Sequence, residues 1–289
     1  MTPEQKLEEM KEILRSLKRV AVAFSAGVDS TFVLRVAIDT LGPENVVAVT
    51  GKSDSLAVAE FDEARKLAEA FGARHVVIET QEMQDPNYAA NPANRCYFCK
   101  SELYGKLDGF VREHGYNAAL SGINKDDYSD WRPGIQAAGE RAVRAPCAEA
   151  GMSKDDIRYL SAKLGIPIFD KPASPCLSSR VQYGETITPE KLKMIERSEA
   201  FLHALGFREC RVRHHNNLAR IELPRERIGE ALVPEMLQKI DATLREFGYK
   251  YVTVDLRGFR SGSMNEVIQV SVPGKPAPSA HPPQGGGGR

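Results

Sequence analysis

The segment from residue 19 to residue 43 restricts the fold more than any other. An unbroken apolar run, Val20-Ala21-Val22-Ala23-Phe24, passes directly into Ser25-Ala26-Gly27-Val28-Asp29-Ser30, and a helical period then continues to Leu41 before Gly42-Pro43. A strand that is apolar throughout belongs inside a parallel sheet covered by helices, and Gly-Pro stops the helix that follows. Small residues at such a strand-to-helix junction let backbone N–H groups approach an anion, and the helix N-terminus adds partial positive charge. The hydroxyls of Ser25 and Ser30 can donate to phosphate oxygens, while Asp29 can hold a Mg2+ counter-ion. The loop is neither a Walker A sequence nor the Gly-x-Gly-x-x-Gly of a dinucleotide fold.

The same alternation fills the first two-thirds of the chain. Residues 1–18 read as an amphipathic helix with Leu7, Met10, Ile13, Leu14 and Leu17 on one face. Further strands are predicted at 46–50, 75–78 and 118–120, and helices at 57–71, 98–114 and 153–164. The last helix has Ser153 as N-cap and Asp156 at the capping-box position. A polar stretch rich in Asn and Pro, 80–95, is expected to be a functional loop. Repeated strand–helix units predict an α/β fold: a parallel sheet with right-handed crossovers, helices on both faces and its ligand at the carboxyl ends of the strands. After Pro167 the rhythm changes. A connector at 168–188 leads to a helix opened by Thr188-Pro189, then to strands at 209–213 and 218–223 joined by a short turn, and to a last strand at 251–256. The expected organisation is an α/β domain over 1–172, a smaller α+β domain over 173–272, and a disordered Pro- and Gly-rich tail over 273–289.

Charge and composition exclude some roles. The 39 basic and 39 acidic residues balance, so nothing global points to a nucleic-acid partner. No apolar run reaches the roughly 18 residues that a membrane span needs, and no signal-peptide pattern opens the chain; a cytoplasmic protein is expected. The cysteines number five, at 96, 99, 147, 176 and 210, which argues against a disulfide framework. Cys96-Tyr97-Phe98-Cys99 with Cys176 offers three thiols. They suit a [4Fe–4S] cluster with one open iron, a lone reactive Cys176 activated by Arg180 or Lys171, or an incomplete zinc site. Cys147 and Cys210 read as buried small hydrophobes.

Two other segments carry candidate ligands. Ser121-Gly122-Ile123-Asn124-Lys125-Asp126-Asp127 follows a strand, where the ligand of such a sheet sits; Asp126, Asp127 and Asp130 read either as Mg2+ or substrate ligands or as a solvated turn. Arg211 and Arg213 lie two apart on a strand and share a face, as two guanidinium forks for a carboxylate or phosphate would. His214 and His215 are adjacent and diverge, which argues against a shared metal. Trp131 and Arg132 shape a loop before Pro133-Gly134.

The Ser25–Ser30 loop resembles the PP-loop of the N-type ATP pyrophosphatases, usually Ser-Gly-Gly-x-Asp-Ser, with Ala26 in place of the first glycine. If that position needs a positive φ, alanine costs ~1–2 kcal/mol there. Four further segments look like the LarE family of ATP-dependent sulfur transferases over roughly residues 5–272: Asn91 to Lys100, Ser121 to Asp127, Asp170 to Arg180, and Arg257 to Glu266. The resemblance implies ATP, Mg2+ and a small nucleotide substrate, pyridinium-3,5-biscarboxylic acid mononucleotide. A carboxylate of that substrate is adenylated and then converted to a thiocarboxylate for nickel-pincer cofactor synthesis and lactate racemase maturation. It implies that Ser25, Ala26, Gly27, Asp29, Ser30 and Gly122 bind ATP, with Asp29 also holding Mg2+ and acting in catalysis. Arg180, Arg211 and Arg213 would bind substrate, with Glu199 and Glu222 near them. Cys96, Cys99 and Cys176 would hold a [4Fe–4S] cluster that delivers sulfide, or Cys176 would itself be the sulfur donor. A homo-oligomer is implied too.

The competing readings are a PP-loop tRNA thiolase, an amide-forming NAD or GMP synthetase, and a non-catalytic zinc-stabilised nucleotide-binding protein. The neutral charge speaks against the first, and the three cysteines are unexplained by the second. Metal content separates the third.

Overall fold

The computed structural model describes residues 1–129, 133–172, 174–260 and 262–267. The expectations for Asp130, Trp131, Arg132, Ala173, Ser261 and the 273–289 tail lie outside the described residues.

The chain opens with α1 (Pro3–Leu17), started by a Thr2–Gln5 capping box, and continues through β1 (Val20–Ala23), α2 (Val28–Leu41), β2 (Val46–Lys52), α3 (Val58–Ala70) and β3 (Arg74–Glu79). The polar stretch that follows is not wholly irregular. It contains a short 3-10 turn and α4 (Pro86–Ala89), capped by the Asp85 carboxylate. Next, α5 (Arg95–Glu113) begins three residues earlier than its apolar period suggested, so Cys96 and Cys99 lie inside its first turns. β4 (Ala118–Leu120), α6 (Pro133–Glu140), α7 (Pro146–Glu149) and α8 (Lys154–Lys163) complete this part. The predicted Ser153–Asp156 capping box opens α8.

The four strands form one parallel sheet in the order β3-β2-β1-β4. Alternation along the strands sorts its faces. Val20, Val22, Val46, Ala48 and Leu120 pack under α1, α2, α3 and α8. Ala21, Val47, Val49 and Ala119 meet Tyr104, Leu107 and Ala137 of α5 and α6. Helices therefore cover both faces, as an all-parallel sheet requires. The strand order reverses between β1 and β4, which opens a crevice at their carboxyl ends.

Beyond the connector come α9 (Pro189–Ala204), β5 (Arg211–His215), β6 (Leu218–Glu222), α10 (Ile228–Ala231), α11 (Pro234–Glu246) and β7 (Tyr251–Val254). β5 and β6 pair antiparallel across the short turn, but β7 pairs with β6 in parallel. The parallel pairing follows from the two helices that carry the chain back between those strands. Leu202, Phe207, Val212, Ile221 and Leu244 form the core of this smaller sheet-and-helix region. A further apolar cluster, with Tyr88, Leu177, Val181, Ile187, Leu192 and Ile195, joins α4, the connector and α9.

Candidate active site

The crevice between β1 and β4 holds the Ser25–Ser30 loop. α2 starts at Val28 with Gly27 as its N-cap, so Asp29 and Ser30 belong to its first turn, where N–H groups lack intrahelical partners. Ala26 is fully buried and has φ 54°, so the position that the resemblance gives to glycine is in the left-handed region here. The Ser30 hydroxyl lies 3.1 Å from the Gly27 carbonyl and 3.2 Å from the Ser25 hydroxyl, which keeps the turn tight. Gly122 passes directly over it. A Cβ at that position would lie 2.7 Å from the Ser30 nitrogen, so a glycine is needed for the two loops to meet.

Asp29 is held by two groups from other segments. Its Oδ2 is 2.5 Å from the ammonium of Lys154, the first residue of α8, and the Asn124 amide lies 3.5 Å from its Oδ1. Two of the nearby acidic residues build the turn itself. Asp127 accepts from the Asn124 N–H at 3.0 Å, and Asp126 accepts from the Lys154 N–H at 2.8 Å. Lys154 carried no motif signal, because it meets Asp29 only through the fold. Lys171 is a second cation at the loop, offered by the sequence, with Arg180, as an activator of Cys176. It donates to Ala26 of the loop and to Glu60 and Glu63 of α3.

The three thiols lie within electrostatic reach of one another. Burial pushes the Cys99 thiol far above its ordinary value, and negative charge at Cys176 and Cys96 adds to that shift. Tyr88 is likewise pushed up by burial and then by Cys176 and Cys99. The Arg95 guanidinium is raised overall: burial opposes its charge, and Cys176, Cys96, Tyr183 and Tyr88 together offset that. Cys96 and Cys99 sit three apart on one helix face, and Leu177 shares an apolar cluster with Cys99. Thiolates are the donor kind of an iron–sulfur cluster, and three of them would leave one iron open. Among the described residues, however, no three His, Cys, Asp or Glu side chains are arranged to hold a metal ion. Cys147 and Cys210 are fully buried, against Met10 and the Glu199 carbonyl respectively.

The predicted arginines gather in the smaller region, together with the two expected carboxylates. Arg180 forks onto Glu199 at 3.0 and 3.1 Å and donates to the carbonyls of Pro175 and Cys176. Arg213 pairs with Glu222 at 2.8 Å and reaches the Ser179 carbonyl and the Ser263 hydroxyl. Arg211 lies over the Phe259 ring, its pKa lowered by burial and then by Arg180. His214 and His215 diverge as expected, towards Glu185 and Tyr249 in one case and Gln182 in the other.

A four-stranded parallel sheet with a phosphate-type loop at its switch point defines the class: the first part of the chain is a PP-loop ATP pyrophosphatase domain. Residues 5–94 match the family model described as NAD synthase. An uncharacterised protein of Synechocystis is 49% identical over 92% of this chain and 98% of its own length. The pyridinium-3,5-bisthiocarboxylic acid mononucleotide synthase of Lactiplantibacillus plantarum is 41% identical over 88% of this chain and 92% of its own. The argininosuccinate synthase of Haloarcula marismortui is similar at 27% identity over 52% of this chain and 38% of its own length. The chain belongs to the LarE family, that of the Lactiplantibacillus synthase. Among the described residues no helix is long and apolar enough to cross a membrane.

Proposed function

We propose that the chain is an ATP-dependent, AMP- and pyrophosphate-forming sulfur transferase. It acts on a carboxylate of pyridinium-3,5-biscarboxylic acid mononucleotide and makes the thiocarboxylate of a nickel-pincer cofactor precursor. The observation that carries this reading is the contact between the two functional segments: the nucleotide loop at the β1/β4 crevice is bonded through Ala26 to Lys171, at the start of the stretch that carries Cys176.

A carboxylate is a poor electrophile because its oxygen leaves badly. Attack of that oxygen on the α-phosphorus of ATP breaks the α–β bond and releases pyrophosphate, and the carboxyl then carries AMP. A sulfur nucleophile at the acyl carbon expels AMP. Ser25, Gly27, Ser30 and the first N–H groups of α2 receive the phosphates, and Gly122 closes the crevice above them. Asp29 would hold Mg2+, which would neutralise charge on the departing pyrophosphate. Arg180, Arg211 and Arg213 orient the mononucleotide's anionic groups. Cys96, Cys99 and Cys176 would hold a [4Fe–4S] cluster, which would supply sulfide when bound. A homo-oligomer and a division near residue 172 belong to the same proposal. The separate apolar cores, one including Leu7 to Ile168 and the other Met194 to Val254, support the division.

The test is pyrophosphate release that depends on the biscarboxylate substrate. Asp29→Ala is expected to abolish it, and undiminished release would remove the loop from the reaction.

A further inference from the structure

Lys171 is fastened at three points. Its ammonium donates to the Ala26 carbonyl at 3.3 Å and lies 2.7 and 2.5 Å from carboxylate oxygens of Glu60 and Glu63. Those two glutamates stand one turn apart on α3, and Ala26 is the left-handed residue of the nucleotide loop. Burial opposes the charge on Lys171, but the pair of carboxylates more than restores it, so the donor facing Ala26 is a fixed cation.

Lys171 also begins the stretch that reaches Cys176. The far end of that stretch is tied down as well: the Leu177 N–H donates to the Ser55 carbonyl at 2.9 Å, and Arg180 holds the carbonyls of Pro175 and Cys176. Ser55 lies between β2 and α3. Both ends of the cysteine-bearing stretch therefore rest on one β2–α3 unit, and that unit is hydrogen-bonded to the strand that delivers the nucleotide loop, through the Phe24 N–H on the Val49 carbonyl. A residue with a Cβ resists the left-handed region, so a holder on the Ala26 carbonyl helps to keep the peptide in its direction. Lys171 is that holder, and the same side chain anchors the approach to the thiol.

We propose that Lys171 is a positioning residue that locks the strained nucleotide loop to the Cys176 stretch, so that adenylate is formed where sulfur can reach it; this rests on the adenylation and sulfur-transfer reading above. Without the lock the loop still binds ATP, more weakly, and the adenylate is made out of register with the sulfur source.

The experiment begins with the unaltered chain. Absence of substrate-dependent pyrophosphate release there overturns the reaction reading, whereas the lock is judged on the ratio of products. In Lys171→Met the KM for ATP is expected to rise about tenfold, the scale of one charge-assisted hydrogen bond. Pyrophosphate is expected in excess of thiocarboxylate, with Lys171→Arg restoring part of the coupling. An unchanged ratio of pyrophosphate to thiocarboxylate overturns the lock. Because the methionine variant leaves Glu60 and Glu63 facing each other, a second measurement uses the unaltered chain: hydrogen exchange with and without an α,β-methylene ATP analogue. Slower exchange at the Leu177 amide as well as in the loop is expected, and protection confined to the loop overturns the proposal.

Discussion

Gly122→Ala adds one methyl group where two backbone segments already touch. The new Cβ would lie 2.7 Å from the Ser30 nitrogen, 3.0 Å from the Asp29 carbonyl carbon and 3.1 Å from the Asp29 Cβ. Comfortable separations between such atoms are about 3.5–4.0 Å, and none of the three is the free end of a flexible side chain. Either the exit of β4 or the first turn of α2 must move. Overpacking of this kind costs about 1–3 kcal/mol. If the loop absorbs all of it, ATP binding weakens by about 5- to 150-fold. If the fold absorbs it, the melting temperature falls by roughly 2–4 °C for each kcal/mol. ATP titration by calorimetry beside thermal melts measures both shares. Gly109→Ala is the matched control, since it lies on α5 with no neighbouring atom within 4 Å of an added Cβ. It is expected to gain up to about 1 kcal/mol from helix propensity. A Gly122→Ala protein with unaltered ATP affinity and melting temperature would show that the two loops separate without cost, and the crevice argument would fail.

Other perturbations act on different parts of the molecule. Arg180→Met removes the guanidinium fork from the buried Glu199 carboxylate, which keeps the Val212 N–H at 3.0 Å. Urea unfolding should show a loss of about 3–5 kcal/mol, and an unchanged midpoint would mean that the pair is not closed in solution. Cys176→Ser should stop thiocarboxylate formation and leave pyrophosphate release; loss of both would assign Cys176 a structural role. Protein reconstituted without oxygen should carry about four irons and four sulfides, lost on Cys96→Ala or Cys176→Ala, and iron retained in both variants would contradict that ligand set. For pH, burial lowers the pKa of His75, His214 and His215; around His214, Glu185 works against burial while Lys191 and His215 reinforce it. The unfolded chain then binds protons more readily than the folded one, so stability is full above the ordinary value near 6.5 and falls as pH drops below it. Thermal melts between pH 7.5 and about 5.5 should show that decline, reduced in His214→Gln; a flat profile would contradict the lowered values.

The sheet was legible because its signals are local. Continuous apolar runs marked β1 and β2, Gly-Pro and lone glycines stopped the helices, and Ser153 with Asp156 marked the start of α8. The start of α5 was not, because Arg95 and Cys96 carry no helical period of their own and the turn before them, Asn91-Pro92-Ala93-Asn94, has no large apolar side chain. Nor was the parallel pairing of β6 with β7, which depends on how two intervening helices lie rather than on either strand. At the site, the Ser25–Ser30 loop could be read as a motif, and Ala26 was the right residue to question. Lys154 and Lys171 could not be found that way: they reach the loop from 125 and 145 residues along the chain. Arg211 and Arg213 were singled out as anion readers by type and spacing, and Arg180 by the resemblance alone; the structure brings Arg180 and Arg213 onto Glu199 and Glu222. Those bonds add what spacing alone cannot, namely that each fork meets a carboxylate of its own chain.

The position of α1 has a consequence for synthesis. Its apolar face uses Leu7, Met10 and Leu14, but part of the surface that covers them comes from α7 and α8: Cys147 touches Met10, Lys6 pairs with Asp156, and Glu4 pairs with Lys163. On a ribosome adding about 5–20 residues per second, the partners near residue 157 follow Leu14 by roughly 7–30 s. Through that interval the nascent chain has α2 beneath α1 and nothing yet on its far side. Helix α1, made well before α7 and α8, is thus among the last to be fully buried in its half of the molecule, and a chaperone that shields emerging apolar helices would have a long opportunity there.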